Sequence, residues 1–160
     1  MLGSALAHAY RLAYRIGFVL ARTWWFLRRP SHEGALVAIW VGHRVLLVRQ
    51  SYRRTLCLPG GGVKRGEAPI TAAIRELSEE VGVTVPAGNL RLAYEATKPW
   101  DYRLDHVRIF ELRLGAEPTL RIDNREIIGA WFAAPGACRG AKMNPFVSEY
   151  LDTRASRPEC

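Results

Sequence analysis

A run of glycines followed by an amphipathic helix lies near the middle of the chain, and it limits the fold more than any other feature. Pro59–Gly62 follows the short apolar segment Leu56–Leu58, which is typical of a strand that ends in a glycine-rich loop. Apolar side chains then recur at helical spacing, at Ile70, Ala73, Ile74, Leu77 and Val81. Pro69 suits the first helical position, and Gly82 suits the position after the last turn. The sequence therefore predicts a strand, a loop and a helix over Pro69–Val81 as one unit.

Apolar and β-branched segments on both sides of this unit predict a sheet. We expect strands at Gly34–Val41, Arg44–Gln50, Leu90–Thr97, Val107–Leu114 and Ile127–Ala133. The pair Gly42-His43 joins the first two strands in a hairpin, and Pro99–Asp105 is expected to be a loop between the third and the fourth. Asn144–Asp152 predicts a short closing helix. Strands mixed with two or three helices indicate the α/β (α+β) class, with a mixed β-sheet sandwiched between helices.

Residues 4–29 predict an additional amphipathic helix at the N-terminus, which Pro30 ends. Basic residues recur in it at spacings of three, four and seven, so they share one stripe: His8, Arg11, Arg15, Arg22 and Arg29. Residues 1–32 contain five arginines and no acidic residue, whereas the rest of the chain contributes only +3 to the total net charge of +8. We therefore divide the chain into a basic amphipathic helix, 1–32, and a globular domain, 33–160.

Several roles for this helix have to be weighed. Arg11, Arg15 and Arg22 interrupt every window long enough for a membrane span. A secretory signal is disfavoured because residues 1–10 contain no lysine or arginine. Three interpretations stay open: a mitochondrial presequence, a helix packed on the domain or in a homodimer, and a helix lying on anionic lipid. The placement of arginine and tryptophan favours the last, a peripheral membrane contact through residues 4–29.

The three cysteines point to a reducing compartment. Cys57, Cys138 and Cys160 are odd in number and far apart, and no C-x-x-C pair occurs. Neither a disulfide framework nor a cysteine-rich zinc site is therefore expected. Cys57 precedes the glycine-rich loop and is expected to pack inside. These features favour a cytoplasmic protein.

The central helix also carries an acidic face. Glu76, Glu79 and Glu80 stand at i, i+3 and i+4, beside the apolar stripe, where like charges repel unless something offsets them. A divalent cation that prefers oxygen ligands would do so. Arg75 can orient one carboxylate, and Glu67 can brace that arginine. With a glycine-rich turn whose N–H groups can approach phosphate, these are the parts needed to hydrolyse a phosphoanhydride.

At this point the segment resembles the signature of the Nudix (MutT-like) hydrolases, G-x5-E-x7-R-E-U-x-E-E-x-G-U, where U is a bulky apolar residue. All nine specified positions are filled, by Gly61, Glu67, Arg75, Glu76, Leu77, Glu79, Glu80, Gly82 and Val83. The resemblance implies the Nudix fold over residues 34–155 and a pyrophosphohydrolase that acts on acid anhydrides. It does not extend to residues 1–32.

The resemblance also implies roles for particular residues. Gly61, Glu76, Glu79 and Glu80 would bind Mg²⁺ or Mn²⁺, and Arg75 with Glu67 would brace the loop and helix. A further carboxylate often comes from a later loop, and Glu126 is the candidate here. Its competitor Glu111 is expected to face outward from a strand. The candidate catalytic residues are Glu76, Glu79, Glu80, Glu126 and Arg75, with the general base expected at Glu80 or Glu79, or alternatively at Glu126.

The group attached to the diphosphate is not specified by the signature. By the resemblance, the substrate is a nucleoside diphosphate linked to a further moiety. The candidate substrate-binding residues are Gly60, Gly61, Gly62, Arg54, Trp100 and Tyr102. Tyr52 and Arg53 also precede the loop and can meet phosphate. Two alternatives are a nucleotide-sensing module without hydrolysis and an RNA-directed, decapping-type enzyme. No RNA-binding module is visible, so a nucleic-acid partner is not expected. The resemblance implies a homodimer, because homodimers are frequent in this family.

Overall fold

The computed structural model describes residues 2–138 and 140–155, which leaves Cys160 and the end of the predicted domain outside the described residues. The helices are α1 (Leu2–Arg28), α2 (Pro69–Val81) and α3 (Pro145–Ala155). The strands are β1 (Ser31–Val41), β2 (Arg44–Gln50), β3 (Leu56–Cys57), β4 (Gly60–Gly62), β5 (Arg91–Trp100), β6 (Arg103–Leu114) and β7 (Ile127–Ala133). Two short 3₁₀ turns lie at Ala87–Asn89 and Pro135–Cys138.

The seven strands form one mixed sheet, as the sequence predicts. The strand order is β3-β2-β1-β6-β5, with β4 also paired to β1 and β7 to β2. β1 runs parallel to β6 along its whole length, and the other pairings are antiparallel. Seven consecutive residues of β1, Gly34–Trp40, are buried. Because alternate side chains of a strand point to opposite faces, both faces of the sheet are covered.

The elements with strong local signals have the bounds that the sequence predicts. α2 spans Pro69–Val81 and ends at Gly82, whose φ of 72° lies in the left-handed region. The N–H of Gly82 donates to the carbonyl of Ser78 at 3.1 Å and the N–H of Val83 donates to that of Leu77 at 3.4 Å, which caps the last turn. The β1–β2 hairpin turns at Gly42-His43, and Cys57 is buried, as expected.

The predicted loop over Pro99–Asp105 is wrong. β5 continues to Trp100 and β6 begins at Arg103, so that only Asp101 and Tyr102 turn the chain, with φ values of 50° and 67°. Two positive φ values match the twist of a tight two-residue hairpin. Pro99 is tolerated inside β5 because β5 is the edge strand, where a missing N–H leaves no partner unpaired.

Glu111 lies inside the core, and the expectation that it faces outward is wrong. Its side chain is only 3% exposed, and its Oε1 accepts a 2.8 Å hydrogen bond from the Tyr150 hydroxyl. The same hydroxyl accepts a 2.8 Å hydrogen bond from Nε1 of Trp40. Arg91 and Arg154 neutralise the carboxylate at 3.0 and 3.3 Å. Glu111 therefore joins α3 to the sheet and has no place among the catalytic carboxylates.

Tyr150→Phe is expected to lower the free energy of unfolding by about 2 kcal/mol, because it leaves two buried polar groups, on Trp40 and Glu111, without that partner. Chemical denaturation measures the change. Tyr102→Phe, at an exposed ring, is the matched control and should change stability by less than about 0.5 kcal/mol. Equal stability of the two variants would show that the buried hydroxyl contributes nothing.

α1 lies against the domain through one face only. The arginine stripe points inward: Nε of Arg11 donates to the carbonyl of Asn124 at 2.9 Å, and Nε of Arg15 donates to the carbonyl of Ser51 at 3.1 Å. Arg22 forms an ion pair with Asp101 at 2.5 Å. The opposite, outer face consists of exposed apolar side chains: Leu12, Ile16, Val19, Leu20, Trp24 and Leu27. No helix in the described part of the chain has the length and apolar character required to cross a bilayer.

Candidate active site

The glycine-rich loop lies directly against α2 because its residues have no side chains. Gly61 pairs with Ala35 in β1, and a Cβ on Gly61 would stand 2.7 Å from the carboxylate of Glu76. Gly60 has a φ of 136°, and a Cβ there would stand 2.7 Å from Cα of Leu36. The loop backbone thus reaches the acidic face of α2, as the glycine pattern indicates.

Glu80 is the most buried carboxylate of this acidic face, at 5% exposure. Its Oε2 accepts a 2.8 Å hydrogen bond from the N–H of Gly60, which fixes the carboxylate beneath the loop. Burial raises the pKa of Glu80 well above its usual value, and the carboxylates of Glu126 and Glu76 raise it further. A cation beside Glu80 would remove this penalty on the charged form.

Arg75 braces the loop against the helix. Its Nε and Nη2 bind the two carboxylate oxygens of Glu67 at 2.9 and 3.0 Å, and Nη2 also donates to the carbonyl of Gly62. Nη1 donates to Glu76 at 2.6 Å and to Glu79 at 3.4 Å. The hydrogen bonds from Arg75 hold the pKa of Glu67 at about 2. This two-pronged contact matches the bracing role that the resemblance implies for both residues.

Glu126 reaches the site from the loop before β7. Asp123 organises that loop, because its carboxylate accepts hydrogen bonds from the N–H groups of Arg125, Glu126 and Ile127 at 3.0, 3.2 and 3.1 Å. Oε1 of Glu126 accepts a 2.7 Å hydrogen bond from the Tyr52 hydroxyl. Burial raises the pKa of Glu126, and the neighbouring carboxylates Glu76 and Asp123 add to this. Sequence reasoning missed Asp123, although an aspartate ahead of a turn is a usual signal for such a cap.

The acidic residues fit a hard divalent cation in chemistry. No three acidic, histidine or cysteine side chains within residues 2–138 and 140–155 stand close enough to ligate one ion as placed, since Glu76 and Glu79 pair with Arg75. The carboxylates of Glu126 and Glu76 nevertheless raise the pKa of Glu80, and the carboxylate of Glu76 raises the pKa of Glu126, which indicates that these like charges repel one another. Carboxylate and carbonyl oxygens are the ligands that Mg²⁺ and Mn²⁺ prefer. The donor set therefore suits these ions.

A cavity of about 650 Å³ opens between the loop, the sheet and the inner face of α1. Of the residues expected at the site, it brings together Tyr52, Arg53, Trp100, Glu126 and the three glycines, Gly60, Gly61 and Gly62. Arg54 is exposed and does not line the cavity. Tyr102 does not line it either, because its ring packs 5.2 Å from that of Phe26 and lies beneath the guanidinium of Arg22.

Arg53, which was expected to meet phosphate, lies in the cavity wall. Its guanidinium lies 4.5 Å from the ring of Phe18 and 4.6 Å from that of Trp100. The whole contribution of α1 was missed, because helical spacing within α1 does not say which surface it covers. These α1 residues line the cavity: Tyr10, Ala13, Tyr14, Gly17, Phe18, Ala21 and Trp25.

Polar groups at one end of the cavity are buried without a hydrogen-bond partner among the described residues: Nδ1 of His32, Nε of Arg103 and Oδ1 of Asp105. Burial lowers the pKa of His32 to about 4, and the charges of Arg103 and Arg53 act in the same direction. The neutral imidazole is thus the form that the fold accommodates.

A stability cost at mild acid pH follows for His32. In the unfolded chain His32 takes up a proton near pH 6.5, whereas in the folded protein it does so only near pH 4. Protonation therefore favours the unfolded state, and stability that is complete above pH 6.5 is lost as the pH falls from 6.5 towards 4. His32→Gln should therefore show a smaller fall in Tm than the wild type between pH 7 and pH 5, by thermal denaturation. His43→Gln, at the exposed β1–β2 turn, should follow the wild-type curve. Parallel curves for all three proteins would contradict the assignment.

Comparison with known proteins places this geometry in a family. The family model for the NUDIX domain matches residues 30–152. An RNA pyrophosphohydrolase of Bartonella clarridgeiae is 37% identical over 75 residues, which covers 45% of this chain and 39% of that protein. The chain spans less than half the length of the curated RNA pyrophosphohydrolases that it matches.

Two further proteins share more of the chain. An uncharacterised Nudix hydrolase of Rhodococcus erythropolis is 29% identical over 138 residues, covering 78% of this chain and 74% of that protein. The crystal structure of a MutT NUDIX hydrolase from Burkholderia pseudomallei has a TM-score of 0.67 at 17% identity, covering 76% of this chain and 96% of that one. At such low identity the structural match speaks for the fold.

Proposed function

Because the chain belongs to the NUDIX domain family, we propose that it is a metal-dependent hydrolase that cleaves a diphosphate linkage in a nucleoside diphosphate joined to a further moiety. One observation carries this proposal. Glu80 is held beneath the loop by the N–H of Gly60, and Glu126 comes from the loop before β7 and lines the same cavity as the glycines. Burial raises the pKa of both carboxyl groups, and the charge of Glu126 raises that of Glu80 further. A cation and a diphosphate would satisfy these charges together.

The residues divide the work according to their contacts. Glu76, Glu79 and Glu80, with the Gly61 carbonyl, would hold Mg²⁺ or Mn²⁺. When bound, the ion supplies positive charge to the diphosphate oxygens and lowers the pKa of the attacking water. Glu126 lines the cavity and has a hydroxyl rather than an arginine as its side-chain partner, so we assign it the general base. Arg75 keeps the loop and α2 in register.

A panel of diphosphate compounds tests the activity. Purified protein with Mg²⁺ or Mn²⁺ is offered nucleoside triphosphates, ADP-ribose, dinucleoside polyphosphates, NADH and CDP-alcohols, and the products are separated by ion-exchange chromatography. Hydrolysis of a diphosphate linkage that stops with EDTA supports the proposal. A folded protein that binds a panel member yet never cleaves one, with either ion, replaces it with the nucleotide-sensing module.

A second candidate is hydrolysis of the 5′ end of RNA. The similarity to an RNA pyrophosphohydrolase of Bartonella clarridgeiae favours it. The position of the basic stripe counts against RNA binding. Arg11, Arg15 and Arg22 are bound to the domain and do not form a free basic surface. A 5′-triphosphorylated RNA oligonucleotide added to the panel distinguishes the two candidates. Hydrolysis of its 5′ phosphates in preference to every small nucleotide would establish the RNA-directed enzyme.

For the outer face of α1 we propose a peripheral contact with an anionic membrane. Leu20 and Leu27 are 65% and 69% exposed, and no charged residue lies among the apolar residues of this face. Arg28 and Arg29 are exposed at its end, and residues 1–32 contain no acidic residue to repel anionic lipid. Such a protein would work in the cytoplasm at the membrane surface, or alternatively in mitochondria.

Sedimentation with vesicles tests this contact. The full chain should pellet with vesicles containing phosphatidylglycerol and much less with phosphatidylcholine alone, and Leu20→Glu should weaken the binding about tenfold or more. Thr71→Glu, at an exposed position of α2, adds the same charge elsewhere and should bind like the wild type. If the protein does not bind vesicles but forms a dimer, and Leu20→Glu dissociates that dimer, the outer face of α1 is a homodimer interface instead.

A further inference from the structure

The inner face of α1 is fastened over the cavity by stacked aromatic and guanidinium groups. The guanidinium of Arg103 lies 3.9 Å from the ring of Trp25, and that of Arg125 lies 4.6 Å from the ring of Tyr10. Such cation–π contacts hold an otherwise separate helix in a defined position. Arg125 belongs to the loop that carries Glu126. Asn124, whose carbonyl accepts the hydrogen bond from Arg11, belongs to the same loop. α1 therefore contacts the loop of a catalytic carboxylate directly.

Tyr52 connects α1 to that carboxylate. Its ring stacks on Tyr14, with centroids 6.0 Å apart and planes inclined by 18°, and it lies 5.1 Å from the ring of Phe18. The Tyr52 hydroxyl donates to Oε1 of Glu126 at 2.7 Å. The ring of Tyr52 thus packs against α1, and its hydroxyl holds the Glu126 carboxylate.

The backbone beside Tyr52 makes a second connection along the same route. The N–H of Ser51 donates to the carbonyl of Glu126 at 2.7 Å, and the carbonyl of Ser51 accepts from Nε of Arg15 at 3.1 Å. Side chain and main chain therefore link α1 to Glu126 in parallel. A link that exists twice resists small shifts of the loop, which is what a carboxylate needs to stay at hydrogen-bond distance from a water.

We infer that α1 forms a wall of the active site that the reaction requires, and that Tyr52, held by Tyr14 and Phe18, is the positioning residue for Glu126. This inference rests on the proposed hydrolysis. Neither Tyr52 nor any residue of α1 belongs to the signature of the central helix. Tyr52 acts through Glu126 and does not itself need to touch the substrate. The consequence is that displacement of α1 should slow the reaction without removing any carboxylate.

Tyr52→Phe tests the hydroxyl while it keeps the ring between Tyr14 and Phe18. We expect kcat to fall about tenfold, with KM within about twofold of the wild type and an unchanged circular dichroism spectrum, because the ring stays in place while Glu126 loses the hydrogen bond that holds it. Phe18→Ala should lower kcat as well, and in the Tyr52→Phe background it should lower kcat by much less. Thr23→Ala, at an exposed position of α1, is the matched control and should leave kcat and KM unchanged.

The outcomes separate this inference from the proposed function. An active wild type with an unaltered kcat in Tyr52→Phe, or fully additive effects in the double variant, overturns the positioning role alone. If no diphosphate is cleaved at all, the side-chain carboxyl resonance of Glu126 in ¹³C-glutamate-labelled protein still decides. This resonance should shift in both Tyr52→Phe and Phe18→Ala but not in Thr23→Ala, and an unmoved resonance in the first two variants overturns the inference.

Discussion

Glu80→Gln is expected to lower kcat by about a thousandfold or more on whichever diphosphate the wild type cleaves. The carboxylate of Glu80 lies beneath the glycine-rich loop, and its burial disfavours the charged form. A bound cation would stabilise that negative charge. The amide of glutamine keeps an oxygen that can accept from the N–H of Gly60, so the loop should stay in place. The charge is lost while the shape is kept.

Steady-state kinetics and thermal denaturation together measure this effect. The Tm of Glu80→Gln should stay within a few degrees of the wild type, or rise, because a buried carboxylate is replaced by a neutral group. Glu79→Gln offers a graded comparison, since that side chain is 60% exposed and contacts Arg75. A Glu80→Gln variant with near-normal kcat would remove Glu80 from the site.

Gly60→Ala is expected to lower the free energy of unfolding by about 3 kcal/mol and to abolish most activity. The added Cβ would meet the Ala35 carbonyl and the backbone of Leu36 in the central strand, where neither can move freely. The φ of 136° at Gly60 is itself strained for any residue with a side chain. Because the N–H of Gly60 donates to Glu80, a displaced loop also displaces the carboxylate.

Gly115→Ala is the matched control for this substitution. A Cβ at Gly115 would meet nothing within 4 Å, and its backbone lies outside the left-handed region. Its stability, measured by urea denaturation, should lie within about 0.5 kcal/mol of the wild type. If Gly60→Ala unfolds at the same urea concentration as Gly115→Ala, the close approach of the loop to β1 is not a feature of the protein in solution.

The sequence was most informative where the physical signal is local. α2 could be bounded at both ends because Pro69, the apolar repeat and Gly82 each fix the helix within one turn. The β1–β2 hairpin followed from two apolar runs separated by a two-residue turn. The bracing pair Arg75 and Glu67 lies eight residues apart across one loop, so the family signature sufficed to suggest it.

Long-range contacts explain what the sequence did not show. Glu111 reads as an outward residue of a strand, because only the arrival of α3, with Tyr150, buries it. In the same way, nothing near Tyr52 indicates that it meets Glu126, which follows it by 74 residues. The arginine stripe of α1 was visible, but its partners, such as Asp101 and Asn124, depend on where the helix lies.

Hydrolysis in ¹⁸O-labelled water, followed by ³¹P NMR, tests most directly the claim that the carboxylates of α2 and Glu126 promote attack of water on a diphosphate. The panel member that the protein cleaves is incubated with Mg²⁺ and, in parallel, with EDTA. We expect one labelled oxygen on one of the two phosphorylated products with Mg²⁺ and no product with EDTA. Products without label, or equal turnover in EDTA, would contradict metal-dependent hydrolysis at this site.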